Sequence, residues 1–156
     1  MDILSHWFNS MKPSGWIARE QIRGREEEST VPKEFIAQIP NMANPPSMMF
    51  PLKFLLNQAR LKNEDKLNEF LASLYPKWTK WYWWFFKSQE NPTMPYTFSW
   101  QGRTSEENMG SGFDDYPRGY NVNERYEIHL DLQSWMTEFS LFMANYSSYL
   151  GDEKFH

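Results

Sequence analysis

Residues 78–86 read Trp-Thr-Lys-Trp-Tyr-Trp-Trp-Phe-Phe. At helical spacing, Trp78, Trp81, Tyr82, Trp83, Trp84, Phe85 and Phe86 point in every direction around the axis. A helix that is apolar on all sides is buried inside a larger structure. The run is far shorter than the roughly 20 residues a membrane-spanning helix needs. The start of the chain, Met1 to Lys12, shows no basic region followed by an apolar stretch, so it is not read as a secretory signal. Aromatic residues elsewhere make the same demand for a core. Eight Trp, eight Tyr and twelve Phe among 156 residues are too many rings for a disordered chain. A formal net charge of -4 lacks the basic footprint of a nucleic-acid binder. With no Cys, disulfides, thiolate metal sites and Cys nucleophiles are excluded.

Around this block the periodicity predicts an all-α chain of about five helices with two long functional loops. Ile3, Leu4, Trp7, Phe8 and Met11 recur at helical spacing over 2–11. Residues 12–46 are broken by Pro13, Gly15, Gly24, Pro32, Pro40, Pro45 and Pro46 and read as a loop, with helical turns at 17–22 and 33–37. Loops of that length in compact domains are usually functional. Asn44-Pro45-Pro46 reads as a helix start. That helix runs to about Arg60, with Pro51 kinking it or delaying its start. Asn63 reads as the cap of the next helix. Tyr75-Pro76 should interrupt it, since a residue before Pro avoids the helical region. Pro76 then starts the aromatic helix to Lys87. Residues 89–126 form the second loop, with 96–100 the only strand candidate. A last helix is expected over 131–150.

Three stretches carry polar groups in patterns that suit chemistry. In Ser111–Arg118, Asp114 and Asp115 sit between a Gly-Phe and a Tyr-Pro, on irregular backbone. Adjacent side chains diverge, so one carboxyl can enter a cleft while the other pairs with Arg118. A carboxyl in a ring-lined pocket is desolvated and can donate a proton near neutral pH. The alternative is a solvated acidic turn with a surface ion pair. In Glu127–Trp135, alternation puts Glu127, His129 and Asp131 on one side of an extended segment, where they could bind hydroxyl groups. The alternative is that Asp131 caps the following helix and the other two are solvated. In Gly15–Ile22, Trp16, Arg19 and Glu20 combine a ring, a guanidinium and a carboxylate, a set that stacks on and hydrogen-bonds a pyranose. The alternative is a buried Trp anchoring a loop. No metal site is expected, because Glu127, His129 and Asp131 have no second cluster and no His pair at helical spacing. Asn145-Tyr146-Ser147 fits the glycosylation acceptor pattern but falls in a predicted helix.

Taken in order, six blocks resemble glycoside hydrolase family 63, the mannosyl-oligosaccharide glucosidases. They are GWIAREQIRG (15–24), VPKEF (31–35), NMANPPSMMF (41–50), LYPKWTKWYWWFFKSQ (74–89), SGFDDYPR (111–118) and EIHLDLQSW (127–135). The resemblance implies an incomplete (α/α)6 toroid, with residues 1–156 a single partial catalytic domain. It implies a glycosidase of N-glycan processing in the endoplasmic reticulum. That enzyme removes the terminal α-1,2-linked glucose from the glucosylated N-linked oligosaccharide, with inversion and without metal or organic cofactor. Asp114 matches the general acid. Asp115, Tyr116 and Arg118 match residues around it. Glu127, His129 and Asp131 match a stretch linked to substrate binding, and Trp16, Arg19 and Glu20 match the sugar pocket.

The chain departs from the family where E-R-H-(V/L)-D-L-R-C-W becomes Glu127 to Trp135, with Ile128, Gln133 and Ser134 in place of Arg, Arg and Cys. Inverting glycosidases need two carboxyl groups, and the family's base comes from a segment later than the last helix here. Twelve helices of about 12 residues with loops of about 5 need roughly 200 residues. The expectation is therefore a piece of a barrel that carries the acid and part of the sugar pocket. The remainder of the barrel is its expected partner. Two alternatives stay open: a carbohydrate-binding pseudoenzyme, or an inactive remnant.

Overall fold

Ring and leucine spacing, more than end-capping, sets the longer helices of this chain. The computed structural model describes residues 1–19, 22, 24–31, 40–62, 64–102 and 127–152, with Glu27 by its backbone only. Among them run α1 (Asp2–Asn9), α2 (Arg25–Thr30), α3 (Met49–Lys62), α4 (Asp65–Gln89) and α5 (Leu130–Leu150). The all-α class holds: the one β feature among the described residues is an isolated bridge between Glu90 and Phe98. The strand candidate at 96–100 is thus reduced to a single pairing. The arrangement is consistent with part of an (α/α)6 toroid.

Three expectations about helix limits change. α4 is continuous through Pro76 instead of breaking at Tyr75. Proline removes one backbone donor, leaving the Ala72 carbonyl without its helical partner. Ala72 and Pro76 are both exposed, so water can take that bond. The buried face, with Leu67, Leu71, Leu74, Tyr75, Trp78 and Trp81, carries the helix across. α3 starts at Met49, four residues after the first proline of the pair at 45–46. Pro51 is then its third residue, where the missing N–H would have had no helical partner. α2 was not expected: Arg-Glu-Glu-Glu-Ser-Thr has no apolar face to announce it. Residues 17–19 are irregular. The helical turn expected at 33–37 and the Asn63 cap lie outside the described residues.

Contacts fix the helix directions. From α4 to α5, Leu71 meets Tyr146, Tyr82 meets Ser140, and Phe85 meets Phe139, so the two run antiparallel. From α3 to α5, Phe50 meets Trp135, Lys53 pairs with Glu138, and Arg60 donates to the Asn145 carbonyl at 3.1 Å, so these run parallel. α3 and α4 therefore form an antiparallel helical hairpin with α5 against both. Trp78 lies where the helices meet. Its ring is 4.8 Å from Phe8 of α1, 5.1 Å from Trp81, and 5.3 and 5.8 Å from Phe142 and Phe139 of α5. The aromatic block is mostly buried as expected, with Trp83 the exception at 41% exposure.

The core also contains a titration. Tyr146 is fully buried and its hydroxyl donates to the Leu71 carbonyl. Burial pushes its phenol well above the ordinary value of 10.0, with Tyr75 adding to the shift. Below pH 10 the phenol is neutral folded or unfolded, and stability is unaffected. Above pH 10 the unfolded chain ionises while the folded chain holds its proton, so stability falls as pH rises. The expected loss approaches about 1.4 kcal/mol per pH unit for this one proton. Melting temperatures taken from pH 8 to 11.5 check this: Tyr146→Phe should start less stable and decline less steeply.

Candidate active site

Two clusters gather the sequence candidates that the described residues contain. The first is built on Gly15. Its φ of +103° is open to glycine, and a Cβ there would lie 2.7 Å from the Lys80 carbonyl oxygen and 2.8 Å from Trp84 Cβ. The loop therefore lies directly on α4. Trp16 follows, 5% exposed, its indole N–H donating to the Met42 carbonyl at 3.0 Å. Trp16 thus serves as the anchor that the sequence left as its alternative role. Beyond it, Ile17, Ala18 and Arg19 line a cavity of about 390 Å³ with Trp7, Asn44, Ser47, Met48, Trp81, Trp84 and Phe85. Such a volume falls within the range of small-molecule sites. Its walls are indole and phenyl rings, and its polar groups are a guanidinium, an amide and a hydroxyl. That is a composition suited to a sugar, whose ring carbons stack and whose hydroxyls pair.

The rings that line this cavity were missed as site residues. Trp81, Trp84 and Phe85 belong to a block read as core, and they are core on most of their surface. Only the contact of three separate segments, around 7, 17–19 and 44–48, with α4 turns their edges into a wall. No spacing signal in the sequence could have found it.

The second cluster joins residues 98–102 to 127–133. His129 is 3% exposed and precedes α5. Its Nδ1 accepts the Trp100 backbone N–H at 2.9 Å. The remaining ring proton is then on Nε2, which stands 2.9 Å from Glu127 Oε1. Asp131 is in the first turn of α5, near the positive end of the helix. It does not cap that helix; its Oδ2 accepts the Trp100 indole N–H at 2.9 Å. Gln133, one of the departures from the family pattern, is used structurally: Oε1 accepts the Phe98 N–H and Nε2 donates to the Tyr96 carbonyl, both at 3.2 Å. Ile128 is 44% exposed. Ser134 donates to the Leu130 carbonyl within α5.

The two clusters meet at Asn41–Met42. Met42 holds Trp16, while the Asn41 carbonyl accepts a hydrogen bond from Gln89, whose side-chain oxygen takes the Gln101 N–H. A Cβ on Gly102 would fall 2.6 Å from Asn41 Oδ1. Gly102 therefore abuts Asn41, beside the Met42 carbonyl that anchors the cavity loop. Asp114, Asp115, Tyr116 and Arg118 fall in residues 103–126 and, with Glu20, lie outside the described residues. Among the described residues no group of three His, Asp or Glu side chains could hold a metal ion. None of the described helices is long and apolar enough to cross a membrane.

Comparison with known sequences agrees over the whole chain. The sequence profile of the glycosyl hydrolase family 63 C-terminal domain matches residues 1–156. A protein of Arabidopsis thaliana named mannosyl-oligosaccharide glucosidase GCS1 is 35% identical over 165 residues, covering 98% of this chain and 19% of that protein. A probable mannosyl-oligosaccharide glucosidase of Schizosaccharomyces pombe is 30% identical over 190 residues, covering 97% of this chain and 23% of its own length. A second Arabidopsis protein, alpha-glucosidase 2, is 34% identical over 148 residues, covering 87% of this chain and 18% of its own. The chain thus spans about a fifth of the length of the curated relatives it matches.

Proposed function

The chain belongs to glycosyl hydrolase family 63, and we propose that it forms part of a glucosidase site that removes a terminal α-1,2-linked glucose from the N-glycan precursor. The observation that carries this reading is the ring-walled cavity at Arg19, in a chain matched over most of its length by relatives named mannosyl-oligosaccharide glucosidase. The terminal glucose occupies that cavity, its ring against Trp81 and Trp84 and its hydroxyls against Arg19, Asn44 and Ser47. Asp114 acts as the general acid and protonates the departing glycosidic oxygen. A second carboxylate activates water on the opposite face of the sugar, about 6.5–9.5 Å away, and configuration inverts. Glu20, Asp115, Tyr116 and Arg118 hold the sugar around the acid, and Glu127 and Asp131 face the oligosaccharide. The reaction belongs in the endoplasmic reticulum, and the domain is a section of a larger helical toroid.

A second reading is a carbohydrate-binding pseudoenzyme: this stretch binds the glycan and does not turn it over. Proton NMR of the chain with an N-glycan ending in α-1,2-linked glucose separates the two. Release of β-glucose as the first anomer supports the enzymatic reading. Bound glycan without release supports the second. First appearance of α-glucose contradicts inversion, and absence of binding contradicts both.

A further inference from the structure

Asn145-Tyr146-Ser147 is the single stretch of the chain that fits the N-glycosylation acceptor pattern. Asn91-Pro92-Thr93 is barred by its proline, and Asn91 is buried besides. Asn145, by contrast, is exposed on α5. Its Nδ2 donates to the Leu141 carbonyl one turn back at 2.9 Å, which uses one of its two amide protons. Beside it a groove of about 220 Å³ runs between α3 and α5, with Asn57 and Arg60 on one wall and Glu138 and Leu141 on the other. That is below the range of drug-sized sites and suits a single sugar ring. Arg60 reaches across and donates to the Asn145 carbonyl at 3.1 Å. Leu141, 56% exposed, offers an apolar face to ring carbons, and the polar groups around it offer partners to hydroxyls.

We propose that Asn145 carries an N-linked glycan whose first sugar lies in this groove. The inference rests on the reading that puts the reaction in the endoplasmic reticulum, and the test lets the two fail separately. In the transfer, Nδ2 bonds to the anomeric carbon of an oligosaccharide held on a lipid diphosphate. The bond from that carbon to the diphosphate oxygen breaks, and the lipid diphosphate leaves with the bonding pair. Nδ2 gives up one proton to a base of the transferase and keeps the other for Leu141. Ser147, which the acceptor pattern also requires, is fully buried in the fold, its hydroxyl donating to the Asp152 carbonyl. Transfer therefore precedes the packing of α5, and the helix is no obstacle to it. The fold has only to leave room for a bulky, polar product. The exposed Asn145 side chain and the groove beside it leave that room.

The chain is expressed behind a cleavable secretory signal in mammalian cells that keep their glycans in the oligomannose form. Peptide N-glycosidase in heavy-oxygen water converts a glycosylated Asn to labelled Asp, read by mass spectrometry on the Glu-C peptide covering 139–153. Most copies should carry the label at 145. Asn145→Gln should lose the glycan entirely, and Ser147→Thr, which keeps the acceptor pattern, should retain it. Absence of the label in both wild type and Ser147→Thr overturns the proposal and leaves the glucosidase reading untouched. The same peptide from the natural protein, purified from its own cells, reads the location. Label behind the added signal but none in the natural protein overturns the location and the proposal together. Heat reads the seat of the first sugar. Chain trimmed by endoglycosidase to one sugar should melt about 2–4 °C above unmodified chain made in bacteria. In Leu141→Ser that gain should vanish. Equal midpoints in the wild-type pair, or a gain that persists in Leu141→Ser, overturns the groove as the seat.

Discussion

Trp78→Ala should cost about 3–5 kcal/mol of folding stability, the range for removing a large ring from a core that cannot close around the gap. Trp78 is fully buried, and its indole touches rings from α1, α4 and α5. Loss of the ring removes the contact that Phe8, Phe139 and Phe142 share, while Trp81 still bridges Phe8 and Phe139. Against a typical total of about 5–15 kcal/mol, this single change would leave many molecules unfolded at moderate temperature. Urea denaturation gives the number. Trp83→Ala, on the same helix but 41% exposed, is the comparison and should cost well under half as much. Equal costs would mean that Trp78 is not the hub of the core.

Asp114→Asn should reduce release of α-1,2-linked glucose by about 10²–10⁴-fold, the contribution of a general acid to a difficult leaving group. Asparagine has nearly the same size and cannot supply the proton, so glycan affinity should be little changed. Hydrolysis of α-glucosyl fluoride should fall far less, because fluoride departs without protonation. Rates can be read in the chain and in a chimaera that carries residues 1–156 in place of the matching stretch of the Arabidopsis glucosidase. The chimaera supplies any carboxylate that lies elsewhere in the toroid. Full activity of Asp114→Asn in that setting would remove Asp114 from the mechanism.

The fold was legible wherever apolar periodicity was strong. α1, α3 and α5 follow directly from their ring and leucine spacing, with ends within a few residues. The local cost of Pro76 predicts a break in α4, but the burial of Leu74, Tyr75 and Trp78 on the opposite face carries the helix through. Tertiary burial outweighs one lost backbone bond when the freed carbonyl faces water. α2 has no apolar stripe and gave no signal. The site was legible in a different way. Local patterns bring Trp16, Arg19, Glu127, His129 and Asp131 forward as candidates, and the resemblance to a glycosidase family implies a common role for them in binding sugar. Their structural work was not legible. Whether Trp16 lines a cavity or anchors its loop depends on Met42, and whether Asp131 caps α5 or accepts from Trp100 depends on a segment thirty residues earlier. Trp100 itself carried no pattern, since an indole in a polar loop becomes informative only when both of its donors are seen to cross to another segment.

Calorimetric titration of the chain with an oligosaccharide ending in α-1,2-linked glucose bears most directly on the cavity at Arg19. Saturation at one glycan per chain is expected, with affinity lost when the terminal glucose is trimmed away and weakened at least tenfold by Arg19→Ala. Affinity indifferent both to the terminal glucose and to Arg19 would contradict the account.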